Sequence, residues 1–258
     1  MLWLREKARL MVLNSLSIFP IKAKGIAHIY LHSVTDHEIG TFERLLDALL
    51  AEGEIIALEE WIRRFNIGDN RPAFTISFDD GYRDIYLNAR PALERRGLSA
   101  TVFVLAGFLG LSGQKLQTFT KENIRWNELR SPLNAEDVQR MSDIGFEIGS
   151  HGFTHKPFNM LTNSEMLWEL TESKRILEKL IRKEVRYFAW PLGKLPDCEN
   201  KAGSIAQHAG YQNSFSASAS RSGTLHSRVL PRRNVELRWG LHVCRFLSLN
   251  PAFRLPFV

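Results

Sequence analysis

Short apolar runs that break off at ionisable residues recur along this chain. Stretches of helical periodicity separate them, the pattern that parallel strands joined by crossover helices produce. The runs are Gly25 to His32, Ala73 to Phe78, Ala100 to Leu105, Phe146 to Ser150, Val185 to Trp190 and a weaker one over Asn213 to Ala217. Between them, Phe42, Leu45, Leu46, Leu49 and Leu50 share one helical face behind Thr41 as a cap. Ile85 to Arg96 reads as a helix closed by Gly97, and Ala135 to Asp143 and Ala202 to Ala209 read as two more. The clearest helix is Thr162 to Arg182: Thr162 and Glu165 form a capping box, and Met166, Leu167, Leu170, Leu177, Leu180 and Ile181 share one face. Ala106 to Asn134 is the longest insertion. This alternation predicts an α/β single domain built as a barrel or a distorted one, with a doubly wound open sheet as the alternative.

Composition narrows the function classes. A chain of 258 residues fits one α/β barrel, and at 44% hydrophobic and 24% charged it is neither disordered nor carries a run of apolar residues long enough to span a bilayer. The net charge of +6 is unevenly placed: residues 1–25 carry +4, residues 221–258 carry +6, and the body between them carries −4. A nucleic-acid enzyme spreads positive charge across its working surface, so no nucleic-acid partner is expected. Residues 1–25 read as a basic amphipathic extension. Their longest apolar run, Leu10 to Leu13, is too short for a signal peptide, and no small-x-small cleavage site follows. Such a segment packs on the outside of a domain or lies on an anionic membrane surface. Cys198 and Cys244 have no metal-binding spacing, and the expected location is the cytoplasm, with the inner membrane face as a docking surface.

Three of the runs end in groups that carry chemistry: His32, the pair Asp79 and Asp80, and His151 with His155. In a barrel the C-terminal ends of the parallel strands gather at one mouth, so these residues become neighbours. His151 and His155 are four apart, the spacing at which both imidazoles reach one ion from a single helical turn, although Lys156-Pro157 keeps any such turn brief. Two adjacent carboxylates in a low-dielectric site raise each other's pKa, and a cation relieves that cost. One Asp and two His leave a divalent ion with open positions, and the second carboxylate is then available as general base. This is the chemistry of hydrolysis.

Three motifs carry a family resemblance: Thr75-Ile-Ser-Phe-Asp-Asp-Gly81, Ser150-His-Gly-Phe-Thr-His155 and Phe188-Ala-Trp-Pro-Leu-Gly193. In this order and spacing the chain resembles the metal-dependent polysaccharide deacetylases, carbohydrate esterase family 4, which share the NodB homology domain. The resemblance covers residues 26–236 and leaves 237–258 as a C-terminal extension. It implies a distorted (β/α)7 barrel that removes acetyl groups from an N-acetylated sugar or polysaccharide. It also makes Asp79 the general base and Asp80, His151 and His155 the metal ligands, with zinc first and cobalt, nickel or iron as alternatives. The backbone N–H of Leu192, in the Trp190-Pro191-Leu192 segment, would hold the oxyanion, and Trp190 would shape the pocket.

Two departures redirect two roles. Where many members have an Arg that braces the catalytic Asp, this chain has Ala189, and the late Leu-x-x-His-like motif is not matched. Ile29-Tyr-Leu-His-Ser-Val34 resembles the first-strand motif of a permuted subgroup, which makes His32 the general acid, with His226 as runner-up. Arg232, in its Leu-Pro-Arg segment, replaces the bracing Arg. Trp126 would stack on a sugar or pack on the core, while His28, His37, His208 and His242 read as structural or solvated. The expected function is N-deacetylation of a glycan or glycan precursor in surface polysaccharide biosynthesis. The alternatives are a deformylase of a lipid-linked amino sugar and a catalytically silent carbohydrate-binding barrel.

Overall fold

The computed structural model describes residues 23, 25–124, 128–193, 199–217 and 229–250. The basic segment before Ala23, and also Trp126, Cys198 and His226, lie outside the described residues. Among the described residues, nine strands form one sheet, and every pairing in it is parallel. They are β1 (Ile26–Leu31), β2 (Glu54–Ile55), β3 (Ala73–Phe78), β4 (Thr101–Val104), β5 (Glu147–Ser150), β6 (Tyr187–Ala189), β7 (Asn213–Phe215), β8 (Val229–Leu230) and β9 (Arg233–Asn234). The spatial order is β8-β7-β6-β5-β4-β3-β1-β9, with β2 beside β3.

That order decides between the two expected architectures. β8 and β9 stand at opposite ends of the path yet are joined by only Pro231 and Arg232. A flat sheet would put about 34 Å between them at ~4.8 Å per strand spacing, whereas the three chain steps from Leu230 to Arg233 reach roughly 11 Å. The sheet therefore curls until its edges meet, a distorted (β/α)7 barrel closed by a covalent link and not by a ladder.

Alternate residues of each strand face inward. His28, Thr75, Ser77, Phe103, Tyr187, Ala189 and Phe215 fill the barrel, while Ile29, Ile76, Val102, Ile148 and Phe188 pack under the outer helices. The outer layer comprises α1 (Ile39–Leu50), α2 (Leu58–Asn66), α3 (Arg90–Glu94), α4 (Gly113–Phe119), α5 (Ala135–Asp143), α6 (Asn163–Ile181), α7 (Glu199–His208) and α8 (Leu241–Leu249). The Thr162–Glu165 capping box forms as expected, and Asn134 with Asp137 makes a second one at α5. α1 begins at Ile39, ahead of the cap expected at Thr41, and Leu50 is exposed while Phe42, Leu45, Leu46 and Leu49 are buried. α2 places Leu58, Trp61 and Ile62 in the same cluster as Phe103 and Phe215, so it plugs the barrel from below. α8, in the stretch set apart as a C-terminal extension, contributes Val243, Cys244, Phe246 and Leu247 to the core against α1.

Gly149 sits in a tight part of the interior: a Cβ there would lie 2.5 and 2.6 Å from two ring carbons of Phe103. Gly149→Ala is expected to destabilise the fold by about 1–3 kcal/mol through overpacking. Thermal denaturation should show a melting temperature roughly 2–10 °C lower, and an unchanged melt would mean that Phe103 moves aside freely.

Candidate active site

β3 ends at the point where its inward alternation, Thr75 and Ser77, reaches Asp79. The Asp79 N–H still bonds to the Leu31 carbonyl at 2.9 Å, so this residue belongs to the ladder. Asp80 does not: its φ is +69°, and the Gly81 N–H closes a tight turn onto the Asp79 carbonyl at 2.8 Å. A non-glycine residue in this region costs of order 1–3 kcal/mol, and such strain collects at functional sites. The turn sends two neighbouring carboxylates to different partners.

Asp79 goes to Arg232. The guanidinium donates from one nitrogen to Oδ1 at 2.7 Å and from the other to Oδ2 at 2.8 Å, both groups being buried. The same arginine donates to Ser77 Oγ at 3.3 Å and lies over the rings of Tyr30, at 4.3 Å, and Phe103, at 5.1 Å. Burial alone would raise the Asp79 carboxyl, but Arg232 and then His151 outweigh it and hold the group below its ordinary value. Arg232 thus occupies the interior, and not every cation of the basic C-terminal stretch is available for docking to a surface. Arg245 from the same stretch pairs with Glu52.

Asp80 goes to the two histidines. Its Oδ1 lies 3.4 Å from the Nε2 atoms of both His151 and His155, and the three ligand atoms fall within 4.8 Å of one another. Each imidazole is oriented from behind. His151 Nδ1 donates to the Ala189 carbonyl at 2.8 Å, and His155 Nδ1 to the Asn123 carbonyl at 3.1 Å. With Nδ1 donating, a neutral ring presents an Nε2 lone pair, and burial holds His155 below its ordinary pKa against the pull of Asp80. The gap of 3.4 Å is too long for a good N–H···O bond, and Asp80 Oδ1 is buried with no hydrogen-bond partner among the described residues. Two imidazole lone pairs and a carboxylate oxygen converging in a buried space are costly unless a cation sits among them. The donor set fits a divalent ion of the zinc type, and cobalt, nickel or iron(II) by the same ligand chemistry. The histidines do not share a helical turn. They flank an irregular loop, and His155 has φ +63°.

His32, just past β1, forms an ion pair from Nδ1 to Glu236 Oε1 at 3.0 Å and feels the charges of Asp80 and Asp79. Leu192 has a left-handed backbone (φ +57°) and is 46% exposed at the mouth, while Pro191 before it is buried. Trp190 departs from expectation: it is 1% exposed, with its indole edge-on to Phe158 and Phe188 at 4.9 and 4.8 Å. It faces the outer layer, as the strand alternation from Ala189 dictates, and buttresses the wall from behind instead of lining a pocket. His28 is buried on Ser77, whereas His37, His208 and His242 are exposed. Glu236 and the Asn123 carbonyl escaped the sequence reading. Glu236 stands 204 residues from His32 and offered no motif, and a backbone carbonyl has no sequence signature.

The comparisons with known proteins bear on this geometry. The polysaccharide deacetylase model matches residues 67–214, more than half of the chain. The chain is a member of the polysaccharide deacetylase family, within the carbohydrate esterase 4 group. YxkH of Bacillus subtilis (strain 168), which carries a polysaccharide deacetylase name, is 28% identical over 137 residues, covering 53% of this chain and 42% of the relative. The chain thus spans less than half the length of that relative. Among solved structures, IcaB from Ammonifex degensii superposes with a TM-score of 0.71 at 19% identity, covering 88% of this chain and 99% of that one. The Streptococcus pyogenes deacetylase PplD gives 0.64 at 19% identity, covering 84% and 93%. These two likenesses establish the fold.

The purified chain is expected to bind one equivalent of zinc, measured by elemental analysis after dialysis. Zinc at about 100 times its Kd should raise the melting temperature by roughly 5–10 °C. His155→Ala should lose both effects; an equal shift in that variant would place the ion elsewhere.

Proposed function

We infer that the chain hydrolyses the acetamide of an N-acetylated amino sugar in a glycan or glycan precursor, releasing acetate and a free amine. The observation that carries this reading is the division of the Asp79-Asp80 pair. One carboxylate is braced by a buried arginine, and the other completes a triad with two imidazoles.

Arg232 keeps Asp79 ionised and fixes its plane, so Asp79 is always able to accept a proton but is a weak base. A weak base needs an acidified water, and Asp80, His151 and His155 would hold the divalent ion that would supply that Lewis-acid chemistry. Asp79 takes the proton of the attacking water. The backbone N–H of Leu192, presented by the left-handed turn at the mouth, donates to the developing oxyanion, and its exposed side chain has no part in that bond. His32 gives a proton to the departing nitrogen. Its Nδ1 is committed to Glu236, so Nε2 carries the transferable proton.

Burial opposes a charge on His32, but the Glu236 hydrogen bond and the Asp80 and Asp79 carboxylates outweigh it and push the group up to about 9. The acid form persists below that pH and is lost above it, and a bound dication moves this limb lower. The pair's contribution to stability has the same sign. It is complete below the unfolded histidine value of about 6.5 and disappears as the pH rises through about 9.

Incubated with N-acetylated oligosaccharides, the zinc-loaded protein is expected to release acetate and no formate. Asp79→Asn and His32→Ala should each lower the rate by about 100-fold or more, and unchanged rates would remove these residues from their roles. Glu236→Gln should move the alkaline limb of the pH profile to lower pH; a limb that stays in place would separate Glu236 from the acid.

A further inference from the structure

Gly152, Phe153 and Thr154 link the two histidines and belong to no strand or helix, so their peptide groups need partners from elsewhere. The carbonyls of Gly152 and Phe153 accept from the Ala106 and Gly107 N–H groups, at 3.0 and 3.2 Å, beyond the end of β4. The amides of Phe153 and Thr154 turn the other way, to one side chain. Glu169, in the second turn of α6, accepts the Phe153 N–H at 2.7 Å and the Thr154 N–H at 2.9 Å on Oε2, and the Thr154 hydroxyl on Oε1.

This carboxylate is 3% exposed, and among the described residues no Lys or Arg forms an ion pair with it. Its charge is balanced by the loop's own donors. One turn further along α6, Ser173 accepts from the Ser150 hydroxyl at 2.8 Å, and Ser150 Oγ in turn accepts the Gly152 N–H at 3.2 Å. The helix therefore grips the chain at the last residue of β5 and again midway between the histidines. Directly beyond that second grip the backbone enters the left-handed conformation of His155, at φ +63°. Few non-glycine residues adopt that conformation, even with histidine among the more tolerant, so the neighbouring backbone has to be held for it to persist.

We propose that Glu169 is a positioning residue for the ion-binding triad: it fixes the loop so that His151 and His155 present their Nε2 atoms to the same point. This rests on the reading of Asp80, His151 and His155 as ligands of a divalent cation. The chemistry requires an acceptor on both oxygens. A glutamine of the same shape would turn an N–H toward donors on one side, and an aspartate would keep the charge but withdraw it by one methylene. Groups that orient metal ligands from behind commonly change affinity by about 10–100-fold when replaced.

The test measures zinc affinity by competition with a chromogenic chelator, on protein shown to be folded by far-UV circular dichroism. Glu169→Gln is expected to weaken zinc binding by about 10–100-fold, with kcat largely restored when zinc is saturating. Glu169→Asp should fall between Gln and wild type, and it serves if the Gln variant fails to fold. Ile181→Ala, at the far end of α6 and away from the loop, loosens the helix without touching these bonds and should keep zinc affinity within about threefold of wild type. Zinc affinity that is unchanged in both Glu169 variants, or lowered as much by Ile181→Ala, would overturn the positioning role. Wild-type protein that binds no zinc would instead overturn the ligand triad, and the role of Glu169 with it.

Discussion

A buried arginine in bidentate contact with a buried aspartate is the interaction on which the rest of this site depends. Arg232 lies in the two-residue link that closes the barrel, between the Tyr30 and Phe103 rings, and both its terminal nitrogens reach Asp79. Breaking such a pair leaves an uncompensated charge in a dry interior, at a cost of about 3–5 kcal/mol. Closure of the barrel and preparation of the site are therefore one event. When β8 and β9 meet, the cation arrives that allows Asp79 to stay ionised, and a lysine there would keep the charge but lose the planar fork.

The second constraint is the turn at Asp80. Strand alternation would send adjacent residues to opposite faces of the sheet, and Asp80 would point into the helical layer. The left-handed backbone at Asp80 keeps both carboxylates at the mouth while separating their partners. The insertion over residues 106–134 then has a definite task. It returns against this turn through the Leu133 N–H to the Gly81 carbonyl and the Arg83 N–H to the Ser131 carbonyl, and it supplies the Asn123 carbonyl that orients His155.

The features legible in the sequence are those whose signal is local. Alternation and helical periodicity gave the strand and helix order, and Asp79, Asp80, His151 and His155 announced themselves as ionisable residues at the ends of apolar runs. Where the signal is long-range, reading failed or stayed general. Glu169 sits on a helix whose period explains its apolar residues, and nothing in that period separates a buried acid from the solvated ones around it. Glu236 is the one acid in the basic stretch 221–258 and belongs to no motif. Trp190 stands close to Leu192 in sequence, but the strand's alternation sends neighbouring side chains to opposite faces. α2 shows the reverse case. Its apolar residues at positions 58, 61, 62 and 65 have helical spacing, but only the closed barrel reveals that they plug its lower end.

The division of labour between the two adjacent carboxylates is the central claim, and anomalous X-ray scattering at the zinc edge from crystals of the zinc-loaded protein tests it most directly. The expected result is one peak about 2.0–2.2 Å from an Asp80 oxygen and from both His151 and His155 Nε2, with Asp79 outside the coordination shell and still paired with Arg232. A peak that takes Asp79 as a ligand, or that leaves either histidine unbound, would contradict it.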